Sequence, residues 1–181
     1  MQLLGQRTSA WLLFCKGLHL ASDVMENQTF EYGLIAGLAT LLLIACVTDW
    51  RHRLINNWLT GSIALAAPLF WMATGLALWP DIVLQIALAA VVLAIFAGIF
   101  ALGAMGGGDV KLLTALALWF PAIQMLSLLL VMSVLGGILT LLMLIYHKLR
   151  KAPGKPEIPY GIAIALAGLW GMFERNFNHF G

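Results

Sequence analysis

From Leu112 to Tyr146 the sequence contains no charged residue. A single helix over this run would be about 50 Å long, whereas the hydrocarbon core of a membrane is about 30 Å thick. Pro121 is the natural break, because the residue before a proline avoids the helical region. The run therefore predicts a short helix over Val110–Phe120 and a long helix over Ala122–Tyr146.

The same apolar character extends over the whole chain. Of its 181 residues, 62% are hydrophobic and only 10% are charged, whereas a soluble domain carries about 25% charged residues. A soluble domain of this length could not bury so much apolar surface, so the chain is predicted to be an all-α integral membrane protein. We expect about six transmembrane helices, of which the other four are Tyr32–Thr48, Trp58–Leu78, Ile82–Ala104 and Pro159–Phe173.

The predicted spans define one membrane domain, residues 32–173. Residues 1–31 are expected to form an extension that lies on the membrane or is poorly ordered, and residues 174–181 a short polar tail. Gly33 and Gly37 create a small-xxx-small face on the first span, which is either a helix-packing face or ordinary membrane-helix glycine.

The positive charges are unevenly distributed along the chain. If the short fourth helix crosses the membrane, seven of the ten basic residues fall on one side, and that side is cytoplasmic by the positive-inside rule. Asp49 and Asp109 then lie at the cytoplasmic ends of their helices and can meet. The seven residues are Arg51, Arg53, Lys111, Lys148, Arg150, Lys151 and Lys155.

Asp109 follows three glycines, residues 106–108, in a polar interruption of the apolar sequence. A carboxylate in a membrane segment is costly and is by default a candidate functional group. The glycines allow backbone conformations that a side chain forbids, and they allow another chain to approach closely. From these residues alone, Asp109 could equally be a helix cap, and Asp49 a helix-end residue balanced by Arg51 or Arg53.

Two acids at the same membrane depth are what aspartyl hydrolysis requires. One carboxylate takes a proton from water while the other donates a proton to the scissile carbonyl, and two close carboxylates do not both ionise easily. The sequence contains no Ser-His-Asp, Cys-His or metal-ligand pattern, so we expect no metal, no cofactor and no nucleic-acid partner. The alternatives are a proton-coupled transporter, or a non-enzymatic membrane subunit that uses Asp49 and Asp109 as buried acids.

Three motifs resemble those of one family. Gly106-x-Gly108-Asp109 is similar to the GxGD signature of intramembrane-type aspartyl proteases, and "MGGGDVKLLTALALW" at residues 105–119 resembles its type IV prepilin peptidase version. "DWRHRLINN" at residues 49–57 resembles the first-aspartate motif of that family, and "IPYGIAIALAG" at residues 158–168 resembles its C-terminal Pro-x-Gly helix start. The resemblance covers about residues 32–173.

The resemblance implies a GxGD-type aspartyl protease fold with Asp49 and Asp109 as the catalytic pair. It implies that this pair cuts the basic leader from type IV (Flp-type) prepilin or pseudopilin precursors. The active site would lie at the cytoplasmic face of the bacterial inner membrane, with lipid and pilus-assembly or secretion machinery as further partners. The residues implied to bind substrate or shape the loops are Gly106, Gly108, Lys111, Asn57, Pro159, Tyr160 and Gly161.

Two departures from the family pattern refine this expectation. Asn56 stands where the family has a proline, so the turn after Asp49 is expected to differ in shape. The large cysteine-bearing cytoplasmic domain of the long prepilin peptidases is absent from the sequence. This points to the short Flp/Tad-pilus branch, and N-methyltransferase activity is not expected.

Overall fold

The computed structural model describes residues 28–150 and 159–178. Within these ranges the chain forms six α-helices and no β-strand, and a kinked turn, Leu78–Ile82, in which Trp79 is extended (φ −132°, ψ 129°), precedes the third helix. Most of the predicted N-terminal extension therefore lies outside the described residues. The helices are α1 Gln28–His52, α2 Asn57–Ala73, α3 Val83–Ala101, α4 Gly107–Ala117, α5 Ala122–Arg150 and α6 Tyr160–Asn178.

Three segments in the described part of the chain are long and apolar enough to cross a membrane: Gln28–His52, Leu78–Ala101 and Ala122–Tyr146. The prediction of an all-helical membrane protein is thereby confirmed, whereas the number of six spans stays a prediction. Helix α4 has 11 residues and is only about 16 Å long. It cannot cross a hydrocarbon core of about 30 Å as a helix alone.

Several helix ends differ from those predicted. Helix α2 ends at Ala73 rather than at residue 78, and α3 ends at Ala101 rather than at residue 104. In each case a glycine with positive φ follows: Gly75 at 68° and Gly103 at 73°. Glycine takes this left-handed conformation without steric cost, and it commonly ends helices. Apolar composition extends past both turns, which is why hydropathy alone placed the boundaries too late.

Helices α1, α5 and α6 extend further than their predicted spans, and α5 ends at Arg150 rather than at residue 146. Helix α1 begins at Gln28, before the predicted start at residue 32. Helix α6 continues to Asn178, beyond the predicted end at residue 173. At these ends Arg175 forms an ion pair with Glu31, with 3.1 Å between Nη2 and Oε1. Glu31 and Arg175, which lie just outside the predicted apolar spans, are therefore part of α1 and α6, and their ion pair joins the two helices.

Helix α4 is the buried centre of the bundle. Its side chains Leu112, Leu113 and Leu116 are fully buried, and the helix packs against α2, α3, α5 and α6. The long helices instead present most of their apolar side chains outwards, as expected for helices in contact with lipid. A short helix that is apolar on nearly every side is thus placed where other helices cover it.

The C-terminal end of α4 receives hydrogen bonds from neighbouring side chains. The last carbonyls of a helix have no partner within the helix, and a membrane interior offers no water to satisfy them. The buried Gln85 of α3 donates to the carbonyls of Ala117 and Phe120, at 2.8 and 2.7 Å. The indole of Trp71 donates to the carbonyl of Leu118 at 2.8 Å. These bonds explain how so short a helix can end inside the bundle.

Glycines on α6 allow the closest helix packing. A β-carbon at Gly168 would lie 2.9 Å from a methyl group of Leu42 on α1, and one at Gly171 would lie 3.3 Å from the ring of Phe120. Of the two readings left open for Gly33 and Gly37, the structure favours ordinary membrane-helix glycine, because a β-carbon at either position would meet nothing within 4 Å among the described residues. Close packing against α1 comes from α6 instead.

Candidate active site

A cavity of about 490 Å³ opens where α1 ends and where α4 and α6 begin. Asp49 and Asp109 both line it, together with Pro159 and Tyr160 at the start of α6. The two acids are buried, with 5% and 8% of their surface exposed. The predicted meeting of two acids from separate segments is therefore present in the fold.

Asp49 is held by the start of α6. Its Oδ2 accepts a hydrogen bond from the backbone N–H of Ile162 at 3.1 Å, and the backbone of Gly161 faces the same carboxylate. A β-carbon at Gly161 would lie 2.7 Å from Oδ2 of Asp49, which is closer than atoms can approach. Position 161 must therefore be glycine if Asp49 is to keep this place.

Asp109 lies in the first turn of α4, for which Gly106 is the N-cap. The N–H of Asp109 donates to the Gly106 carbonyl at 3.1 Å, and the Asp109 carboxylate accepts from the Gly106 backbone in return. The carboxylate contact with the N-cap backbone is one half of a capping box, and Gly106 has no side chain to supply the other half. The predicted glycine loop is thus corrected: Gly107 and Gly108 belong to the helix, because Asp109 closes its first turn.

Ile55 forms an apolar link between the two acid-bearing regions. A β-carbon at Gly108 would lie 3.1 Å from Cβ of Ile55, and one at Gly161 would lie 2.7 Å from its Cδ1. Gly108 sits next to Asp109, and Gly161 contacts Asp49. The Ile55 side chain therefore fixes how far apart the starts of α4 and α6 stand.

An unusual backbone conformation brings Ile55 to this place. Arg53 has a positive φ of 51°, which is uncommon for a residue with a side chain. Its N–H donates to the Asp49 carbonyl at 2.9 Å and closes the last turn of α1. Such strained residues concentrate at functional sites. The chain then turns, and Ile55 packs against Gly108 at the start of α4.

Tyr160 is anchored on α5. Its ring packs against Gly136, where a β-carbon would lie 3.3 Å from Cε1. Its hydroxyl is 3.5 Å from Oγ1 of Thr140. Tyr160 thus helps to fix the start of α6, the segment that holds Asp49, against the long helix α5.

The structure brings most of the predicted site residues to one place. Asn57 and Lys111 are the exceptions: Lys111 Nζ donates to Asn57 Oδ1 at 2.8 Å, and both line a separate groove between α2 and α4. Lys111 follows Asp109 by two residues, and Asn57 follows Asp49 by eight. The helical turn carries both side chains into the groove between α2 and α4 instead of the acid-lined cavity. The predicted residues at the acid-lined cavity are Asp49, Asp109, Gly106, Gly108, Pro159, Tyr160 and, beneath Asp49, Gly161.

Sequence reasoning missed five residues that line the cavity: His52, Arg53, Leu54, Ile55 and Gly107. None of them was among the residues predicted to bind substrate or shape the loops. The available signal for the first four was their position within "DWRHRLINN", directly after Asp49. In the described ranges, no three His, Cys, Asp or Glu side chains cluster as a metal site would require.

The fold and the cavity define a helical membrane protein in which two buried acids share one cavity at an end of the bundle. Residues 36–141 match the sequence model of the type IV leader peptidase family. The chain belongs to this family and is a membrane protease of the type IV leader peptidase kind. Searches among curated proteins and among solved structures found no match.

Proposed function

We propose that the protein is a GxGD-type aspartyl endopeptidase in which Asp49 and Asp109 form the catalytic pair. The observation that carries this proposal is their position: two buried acids, 60 residues apart in sequence, line one cavity that is large enough to admit a peptide segment. If Asp49 and Asp109 only capped the ends of their helices, they would not need to be buried in the same cavity.

The proposed reaction is attack of a water molecule on a peptide carbonyl. One carboxylate removes a proton from the water, and the other donates a proton to the carbonyl oxygen, so that a tetrahedral intermediate forms. Collapse of this intermediate breaks the C–N bond, and the nitrogen leaves as an amine after it receives a proton. The reaction needs one charged and one protonated carboxyl group, and two carboxylates in one small space favour that state.

The substrate that we propose is a type IV prepilin or pseudopilin precursor of the Flp kind, which is cut after its basic leader. The family membership supports a leader-bearing precursor. The exposed Gly106 at the rim of the cavity leaves room for an extended peptide backbone. Cleavage would occur at the cytoplasmic face of the inner membrane, because Arg51, Arg53 and Lys111 lie at this end of the helices.

The proposed topology has six membrane-crossing segments within residues 32–173, with α4 and the residues up to Pro121 as the fourth. The positions of two cavities support it. The acid-lined cavity gathers the end of α1 and the starts of α4 and α6, and the other gathers the end of α2, the starts of α3 and α5, and the C-terminal part of α6. Successive helices therefore run in alternating directions.

The direct test is to incubate the purified protein with candidate precursors and to identify the products by mass. A peptidase releases the leader and leaves a mature chain with a defined new N-terminus. A transporter or an assembly subunit leaves every precursor intact, including those that co-purify with it. Product mass also reports on N-methylation, which adds one methyl group to the new N-terminus and which we do not expect.

A further inference from the structure

A groove of about 360 Å³ lies between α2, α3 and α4. It shares no residue with the acid-lined cavity, and the proposed peptidase reaction does not use it. Its α4 side runs from Lys111 to Leu118, which is about 10 Å along the helix. Lys111 and Leu93 are exposed, so the groove opens to the outside of the bundle, where the long helices present apolar side chains.

Lys111 places a positive charge at the end of the groove that is nearer to the two acids. Its Nζ donates to Oδ1 of Asn57 at 2.8 Å. An ammonium group has three N–H donors, so two remain for a ligand. No carboxylate among the described residues forms an ion pair with Lys111. The charge of this end is therefore not balanced within the part of the chain that the structure describes.

Beyond Lys111 the wall of the groove needs no polar ligand. The hydroxyls of Thr60 and Thr114 donate to carbonyls of their own helices, at 3.1 and 2.8 Å. The other residues along this wall are apolar or have no side chain: Gly61, Ala64, Leu93, Ala115 and Leu118. Atoms that line an empty space lose dispersion contacts on that side, so an apolar chain that fills the groove stabilises it.

We propose that this groove binds an anionic phospholipid, with its phosphate at Lys111 and one acyl chain along α4 towards Leu118. Charge complementarity selects this occupant, because a basic residue near the membrane surface attracts a lipid with net negative charge. A zwitterionic lipid brings an ammonium group that opposes the charge of Lys111. A free phosphate would meet Lys111 but would leave the apolar length of the groove empty.

The test compares two lipids that carry the same acyl chains and differ in net charge. Delipidated protein is titrated with phosphatidylglycerol or with phosphatidylcholine, and the affinity for the first bound lipid is measured by native mass spectrometry. We expect phosphatidylglycerol to bind about fivefold more tightly, which corresponds to the attraction of one basic residue. Inorganic phosphate should not displace it, and displacement would overturn the proposal in favour of a free anion.

Substitutions of Lys111 test the charged end of the groove. Lys111→Gln removes the charge and keeps a donor for Asn57, so it should bind the two lipids equally. Lys111→Arg keeps the charge and should keep the preference for phosphatidylglycerol. Arg51→Gln is the matched control, because it removes an exposed basic residue that does not line the groove. This control should also keep the preference.

A substitution of Gly61 tests the apolar length of the groove. A β-carbon at Gly61 meets nothing within 4 Å, so Gly61→Leu fits the fold and fills the groove with its side chain. It should bind the first phosphatidylglycerol much more weakly than the natural protein does. Gly37→Leu is the matched control, since position 37 is equally open but lies outside the groove.

Equal binding of the two lipids by the natural protein would overturn the proposal, and this arm stands even if a variant fails to insert. A preference that persists in Lys111→Gln would overturn it as well. If Gly61→Leu binds phosphatidylglycerol as Gly37→Leu does but no longer cleaves the precursor, the groove holds part of the precursor and the lipid proposal is wrong. Lipid binding is measured without cleavage, so this result and that of the peptidase test are independent.

Discussion

The substitution Gly161→Ala should reduce cleavage strongly by displacing Asp49. The new β-carbon would lie 2.7 Å from Oδ2 of Asp49 and 2.7 Å from Cδ1 of Ile55. Ordinary contact begins at about 3.4 Å, so the carboxylate must retreat by about 0.7 Å. That movement lengthens the 3.1 Å hydrogen bond from the Ile162 N–H. A misplacement of about 1 Å can cost about 100-fold in rate, and we expect a loss of that order.

The same substitution should leave the protein folded. Overpacking costs about 1–3 kcal/mol, and alanine in place of glycine in a helix returns up to about 1 kcal/mol. The net loss is about 3 kcal/mol at most, against a typical free energy of unfolding of about 5–15 kcal/mol. The assay is the initial rate of precursor cleavage at matched protein level in the membrane. Gly137→Ala is the control, because a β-carbon at position 137 would meet nothing within 4 Å.

A second substitution separates the two clashes at position 161. Ile55→Val removes only the Cδ1 methyl group, so in the Gly161→Ala background it relieves the contact with Ile55 and leaves the contact with Asp49. We expect thermal stability to recover and cleavage to stay low. If cleavage returns to the wild-type rate, or if Gly161→Ala alone cleaves as well as Gly137→Ala, the argument that glycine is needed for the place of Asp49 is refuted.

Four further predictions test the site, the topology and the mechanism. Gly108→Ala should lower cleavage more than Gly107→Ala. A β-carbon at position 108 meets Cβ and backbone atoms of Ile55, whereas one at position 107 meets the exposed ring of Phe100. Equal losses of cleavage in the two variants would contradict this prediction. Cysteines placed at Asp81 and Lys148 should be labelled by impermeant reagents from opposite faces, and labelling from one face would exclude the six-span topology. Cleavage should fall at low pH, where both acids of the pair are protonated, and at high pH, where both are charged. A chelator should leave the rate unchanged, and inhibition restored by a metal ion would contradict the mechanism.

The sequence predicted the class of fold because hydrophobicity alone requires it. The break at Pro121 in the long run over residues 112–146 placed the start of α5 at Ala122 correctly, whereas α4 ends at Ala117 rather than at the predicted Phe120. Helix ends were less accurate where apolar residues continue through a turn, as after Ala73 and Ala101. At these two positions the helix ends because a glycine just after it takes a positive φ. A hydropathy pattern does not contain information about backbone conformation.

The candidate site was predictable only in part. The two acids could be paired because charge bias and helix count place them at one end, which is an argument about topology. The close contacts of Ile55 with Gly108 and Gly161 depend on how three helix ends pack, and no spacing rule reveals them. Lys111 was misplaced for the same reason: it is two residues from Asp109, but a helix turns it away from the cavity and towards Asn57.

The most direct measurement is precursor cleavage by Asp49→Asn, by Asp109→Asn and by the double variant, each at matched protein level in the membrane. An amide carries no transferable acidic proton and cannot act as the base, so each single variant should lose cleavage completely. The double variant should be no worse than either, since residues that act as one unit are not additive. Appreciable cleavage by either single variant would contradict the aspartyl mechanism and leave the two acids as helix-end caps.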